Sequence, residues 1–130
     1  MNRVLGMVLA ASASLAGAST VPSQWYFGNW ACLIDGRPAQ MVWRVVDDPQ
    51  TSCDGDICTT SSGVAIRGWF KDGSGPWVRL ERPRVSGNDF RFVYTGDRTN
   101  WFLRAAAGRR SAAGNTIWQD NAYPLSCVKR

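Results

Sequence analysis

Residues 64–104 read VAIRGWFKDGSGPWVRLERPRVSGNDFRFVYTGDRTNWFLR, and the alternation in this stretch decides the fold. Ile66, Phe70, Val78, Leu80, Phe90, Phe92, Tyr94, Trp101 and Leu103 fall on one parity within their runs, and Arg67, Arg79, Arg91 and Arg104 fall on the other. A period of two belongs to a strand with one buried side, because successive Cβ atoms point to opposite faces of a sheet. Helical periodicity is missing. The DGSGP run at residues 72–76 and the segment 96–100 carry turn residues, so the spacing predicts strands at Gly63–Lys71, Trp77–Arg82, Phe90–Thr95 and Trp101–Ala106.

Working outward, Trp25–Ile34 reads as a first strand, and Asp35-Gly36 is a hairpin signal into a second strand at Ala39–Val46. A long loop is expected from Asp47 to Ser62, and two further strands at Asn115–Gln119 and Ala122–Val128. Met41, Trp43, Val45 and Val64 join the core face. Arg44 joins the arginine face, where Trp69, Trp77, Val93 and Phe102 are interleaved. Sheet edges present unpaired backbone groups, and closing the sheet removes them. The expected fold is all-β, a single small antiparallel barrel or roll of about eight strands, with a two-sheet sandwich as the alternative closure.

The N-terminus carries a second signal. Asn2 and Arg3 precede an apolar run from Val4 to Leu15, and Ala16, Gly17 and Ala18 are small, which is the pattern of a cleaved secretory signal peptide over residues 1–18. Residues 19–130 then form one domain in a secreted or periplasmic, oxidising setting, with no transmembrane anchor expected after cleavage. Four cysteines allow three pairings. In CDGDIC, Asp54 and Gly55 can make a tight turn that bridges Cys53 to Cys58, which leaves Cys32 to pair with Cys127. First and last strands that pair in a closed barrel would bring those two together.

FGNWACLIDGRPAQMVWRVVDDPQTSCDGDIC, then SSGVAIRGWFKDGSGPWVRL and a closing YPLSC, resembles a family of small secreted bacterial proteins known as a domain of unknown function, from about Trp25 to Cys127. That resemblance implies no activity, cofactor or catalytic residue. Gly28, Asn29 and Trp30 are also similar to the GxW-like opening of calycin-type barrels, and the chain resembles the small envelope protease inhibitors of bacteria in size and in its early tryptophan.

Chemistry has few reagents here. The chain has no histidine, Glu81 is its only glutamate, and no nucleophile motif such as GxSxG appears, so a noncatalytic protein without cofactor or metal is expected. Asp47, Asp48, Asp54 and Asp56 share one predicted loop; they read first as turn and solvation chemistry, then as a calcium site, and last as a carboxylate pair. Trp30, Trp43 and Trp101 read as core. Trp69 and Trp77 flank KDGSGP on the arginine face, where they either lie beneath neighbouring arginines or offer a platform to a ligand ring.

Thirteen arginines against two lysines and a formal charge of +5 direct attention to anionic partners. The sequence reading is therefore a binding protein that presents Arg44, Arg67, Trp69, Trp77, Arg79, Arg91 and Arg104 to an anionic glycan, envelope polymer or acidic protein. Nucleic acid is the least favoured anion, because the net charge is small and export separates the two. The alternative is an inhibitor or interaction protein of an envelope or exported enzyme, acting through the CDGDIC ring or the segment Ser19–Gln24. An enzyme using the loop carboxylates stands third.

Overall fold

The computed structural model describes residues 21–130. The proposed signal peptide, together with Ser19 and Thr20 of the N-terminal segment, lies outside them. Ten strands run through the described residues: β1 (Gly28–Ile34), β2 (Arg37–Asp47), β3 (Gln50–Asp54), β4 (Ile57–Ser61), β5 (Val64–Asp72), β6 (Trp77–Ser86), β7 (Asp89–Tyr94), β8 (Thr99–Ala105), β9 (Ser111–Trp118) and β10 (Asn121–Lys129). Eight close into a barrel in the order β1-β10-β9-β8-β7-β6-β5-β2, so the roll is a barrel and not a sandwich.

Closure runs through β1. On one side Trp30 faces Lys129 and Ile34 faces Leu125 across β10; on the other, Gly28 faces Trp43 and Ile34 faces Arg37 across β2. Cys32 lies opposite Cys127 in this register, and the two are joined by a disulfide with Cα atoms 4.0 Å apart. The expected long-range pairing is present, and it staples the seam where the first and last strands meet.

Within the barrel, inward positions follow the alternation. Met41, Trp43, Phe70, Leu80, Phe90, Phe92, Trp101 and Leu103 are buried as expected, and Ile66 and Tyr94 pack against them. Val64 and Val78 are half-buried. Val45 is 38% exposed. The reason is length: β1 begins at Gly28 opposite Trp43, so β2 outruns its neighbour before reaching Val45. Trp30, Cys32, Ile34, Ala112, Leu125 and Cys127, from the first and last strands, complete the core.

The first strand starts three residues later than expected, because residues 25 and 26 form a turn. Tyr26 is buried and stacks on Phe90 with ring centroids 4.0 Å apart; Trp25 meets Phe90 edge-on at 5.9 Å. The backbone carbonyl of Tyr26 accepts from Trp30 Nε1, Gly87 O accepts from Trp25 Nε1, and Lys129 Nζ donates to Trp25 O. An aromatic plug therefore fills the end of the barrel that carries the β6–β7 turn. The turns β1–β2, β5–β6, β7–β8 and β9–β10 gather at the other end, as antiparallel connectivity requires.

Trp43 sits in the deepest layer, between Tyr26, Phe90 and Phe92 at 5.2–5.6 Å. It reaches that place because the neighbouring strand carries Gly68; a Cβ there would lie 2.6 Å from the indole ring.

Residues 47–64 form a unit of their own within the chain. The predicted long loop is instead a hairpin, β3 paired with β4 from Gln50↔Ser61 to Asp54↔Ile57, with a two-residue turn at Gly55 and Asp56, one position later than expected. Gly55 has φ +65°, and glycine in the first turn position suits the primed turns of tight hairpins. Cys53 and Cys58 lie opposite each other and are bridged. Thr51 and Thr60 share a hydroxyl hydrogen bond at 2.9 Å. Alternation is silent here because every residue from Gln50 to Ser61 is exposed.

Two outcomes follow for stability. Disulfide loops of 95 and 5 residues of sequence separation restrict the unfolded chain very differently, so a Cys32→Ala/Cys127→Ala variant should lose about 4 to 5 kcal/mol in denaturant unfolding and Cys53→Ala/Cys58→Ala about 2. Gly68→Ala should destabilise by about 1–3 kcal/mol, because the added methyl displaces Trp43 from a packed layer; near-ultraviolet circular dichroism of the indole should change with it.

Candidate functional site

The outer surface of β2, β5, β6, β7 and β8 carries the predicted arginine and aromatic residues. Near its start, Arg44 lies over the Trp69 ring at 4.9 Å, and Trp69 is directly opposite Arg79 in the β5–β6 register. Arg79 approaches Glu81 at 3.7 Å, and Arg98 shares the same carboxylate at 3.8 Å. Arg67 is half-buried and donates to Ile66 O at 3.4 Å. Trp77 is opposite Lys71, whose ammonium lies 5.8 Å from the indole centroid. Arg104 donates to Asp89 at 2.7 Å and lies 5.5 Å from the Phe102 ring centroid. These exposed pairs each add little to stability, but they occupy much of the charge that was expected to face a partner.

Arg91 differs. It stacks over Phe102 at 4.6 Å, and directly opposite it on β6 stands Arg84. The registers of four strands line up here, so that Arg84, Arg91, Phe102 and Asn115 form one straight row across β6, β7, β8 and β9. Like charges directly opposed on antiparallel strands are destabilising. Neither Arg82 nor Arg84 has an acidic partner among the described residues. The row lies in a groove of about 780 Å³ whose wall also includes Arg82 and Asn100.

Sequence reasoning missed Arg82 and Arg84 because it ended the strand at Arg82. The strand continues to Ser86 through a register shift between Glu81 and Arg84. Arg82 has φ +55° and precedes Pro83. A bulge re-aims side chains and strengthens local twist, and a non-glycine residue held at positive φ is strained. The signal in the sequence was the tripeptide Arg-Pro-Arg at 82–84, where proline inside a strand marks an irregularity.

The four loop aspartates do not converge. Asp47 and Asp48 stand at the base of the hairpin and Asp54 and Asp56 at its tip, separated by β3, about 14 Å of extended chain. No group of three or more metal-ligating side chains occurs among the described residues, and no helix there is long and apolar enough to cross a membrane.

A closed antiparallel barrel with a disulfide-stapled seam, a plugged end and a basic outer groove is the class of protein that this geometry defines. The chain belongs to a family of unknown function, DUF6006, whose sequence profile matches residues 2–130. No curated protein and no solved structure matches the chain. The two disulfides fit an oxidising environment.

Arg104 holds the Asp89 carboxyl below the usual carboxylate range by its hydrogen bond, with the charges of Arg104 and Arg91 acting in the same direction against partial desolvation. A depressed carboxylate contributes stability above its unfolded pKa and loses it as the pH falls through the folded value. NMR titration should therefore find Asp89 protonating below an ordinary aspartate, and Arg104→Gln should move its midpoint back up toward that range.

Proposed function

We propose that this is a noncatalytic extracytoplasmic binding protein whose basic groove, centred on Arg84 and Arg91, takes an anionic glycan or envelope polymer. The observation that carries the reading is the pair of arginines facing each other across β6 and β7 without an acid between them. An arrangement that costs the free protein stability is relieved when an anion lies across both guanidinium groups, which are suited to bidentate contact with carboxylate, sulfate or phosphate. Arg82, Asn100 and Asn115 supply further donors around the row, and Phe102 supplies an apolar step on which a sugar ring can rest. Trp69 and Trp77, with Arg44, Arg67, Arg79 and Arg104, form the flank of this surface.

A second reading draws on the hairpin β3–β4. All its residues are exposed, its tip is braced by Cys53–Cys58, and Ile57 beside that bridge is 73% exposed. A preorganised loop with an apolar tip loses little entropy on entering a cleft, which supports an inhibitor or interaction role with an exported enzyme.

Binding to alginate and to dextran sulfate, measured by calorimetry across a salt series, tests the first reading. Affinity should fall as salt rises, and Arg84→Gln should lower it about tenfold where the same charge removed in Arg130→Gln changes it little. Arg84→Gln should also raise the low-salt stability of the free protein by about 0.2–1 kcal/mol, since it removes a like-charge opposition. Equal effects of the two substitutions on binding would defeat the groove as the site.

A further inference from the structure

The open end of the barrel holds a second concavity, distinct from the basic groove. It has a volume of about 530 Å³, within the range of small-molecule sites, and its lining comes from seven of the eight barrel strands and the turns between them. The strand positions that line it are mostly inward ones, one layer beyond the packed core. Its floor is Phe70, Trp101 and Tyr94, the last two stacked with centroids 4.4 Å apart and planes 4° from parallel. Its wall carries Trp118 and Tyr123, 6.2 Å apart.

Three features show that this end is not merely unfinished core. Thr116, only 3% exposed, is the one buried polar side chain among the described residues, and it lines the cup. Its hydroxyl can both donate and accept a hydrogen bond at the wall of the cup. Trp118 is 55% exposed although it continues the inward parity of Ala112, Gly114 and Thr116, and the two residues that turn the chain just beyond it, Gln119 and Asp120, both have positive φ without being glycine. Strain there keeps a large apolar ring at the mouth. Gly96 leaves room beside the stack, since a Cβ at that position would lie 2.5 Å from the Tyr94 ring.

Charge at the mouth has the sign opposite to the outer face. Asp35, Asp72 and Asp97 line it with Arg37 as the one cation, and Arg37 is paired with Asp72 at 2.9 Å. Neither Asp35 nor Asp97 forms an ion pair among the described residues, although Asp35 is near enough to Arg37 to act on its charge. Asp97 is held in place by a relay in which Trp101 Nε1 donates to Thr99 Oγ1 at 3.1 Å and the Thr99 hydroxyl donates to Asp97 at 2.6 Å. The Tyr94 hydroxyl is pushed above its ordinary pKa by burial first and by Asp97 and Asp72 next, so the negative potential of the rim reaches the floor.

From the aromatic floor, the excess of carboxylates at the rim over the single Arg37 and the Thr116 hydroxyl in the wall, we propose that the open mouth of the barrel is a binding site for a small organic cation, an ammonium carried on an apolar or aromatic body. The ring faces attract the cation through their quadrupoles, the rim carboxylates add direct attraction in a partly desolvated cup, and Thr116 pairs with a polar group of the bound molecule. Anions are repelled from this end and drawn to the outer groove, so the two sites select opposite charges.

Titrating the full chain with benzyltrimethylammonium, benzyl alcohol and benzenesulfonate, read by tryptophan fluorescence and calorimetry, tests the assignment. The cation should bind one to one and at least tenfold more tightly than the neutral alcohol, with no saturable binding of the sulfonate at the cup. Asp35→Asn/Asp97→Asn removes the charge while preserving shape, since asparagine tolerates the φ of +48° at position 35 and can still accept from Thr99 at position 97. That variant should lose at least tenfold in affinity for the cation and less than twofold for the alcohol, and the exposed Trp118→Ala should weaken both. Arg84→Gln should leave the cation unaffected, which separates this site from the outer groove. Absence of saturable cation binding, equal affinity for all three probes, or a double variant that binds the cation unchanged would overturn the proposal.

Discussion

Pairing of β1 with β10 is the constraint on which the other features depend. Until the last strand lies against the first, the sheet has two edges, no inside, and a row of unpaired backbone groups at each end. Once Trp30 to Ile34 lie against Leu125 to Lys129, parity along the barrel strands becomes a choice between core and solvent. The Cys32–Cys127 bridge lies in the middle of that seam and spans most of the chain, so it acts where the loss of unfolded-state entropy is greatest. Both sulfurs are buried, so the staple also contributes to the core.

Closure has a further consequence, because an eight-stranded barrel has an interior just wide enough for side chains to fill. Large rings fill it here from one end. Trp43, reaching over Gly68, and the plug of Trp25 and Tyr26 occupy the half that carries the β6–β7 turn. At the opposite end the inward positions pass from Phe70 and Trp101 to Arg37, Asp72 and Trp118, which are polar or exposed, and a cup remains. The outer wall is basic where this mouth is acidic. A net charge summed over the chain conceals that division, and the modest excess of positive charge says little about what either surface attracts.

Local pairing explains why a face rich in arginine is less available than it first reads. Arg44 covers Trp69, Arg104 engages Asp89, and Arg79 and Arg98 share Glu81. Guanidinium groups that stack or pair with neighbours cover the sheet with their stems and keep their charge in water. What distinguishes the row of Arg84, Arg91, Phe102 and Asn115 is that neither arginine forms an ion pair among the described residues, while a bulge that shifts β6 against β7 sets the two opposite each other. Strain at Arg82, like strain at Gln119 and Asp120, lies beside a concavity.

By itself the sequence determined the class of fold, most strand positions and the core of the middle strands, because each follows from period-two alternation or from spacing along the chain; it favoured one of three cysteine pairings, which barrel closure then decided. It was silent on the hairpin β3–β4, where no face is buried and alternation therefore has nothing to record, and it misplaced Val45, whose burial depended on the length of a neighbouring strand. Candidate site residues such as Arg91 and Trp69 were legible as outward-facing, but not which of them lack partners. Cross-strand register decided that, and register is a relation between segments far apart in the chain: Arg84 meets Arg91 through a bulge, and Thr116 meets Trp101 and Tyr94 in one cup through closure. Only the tertiary structure could place these groups together, because alternation specifies which side of a strand a residue faces and carries no information about what faces it.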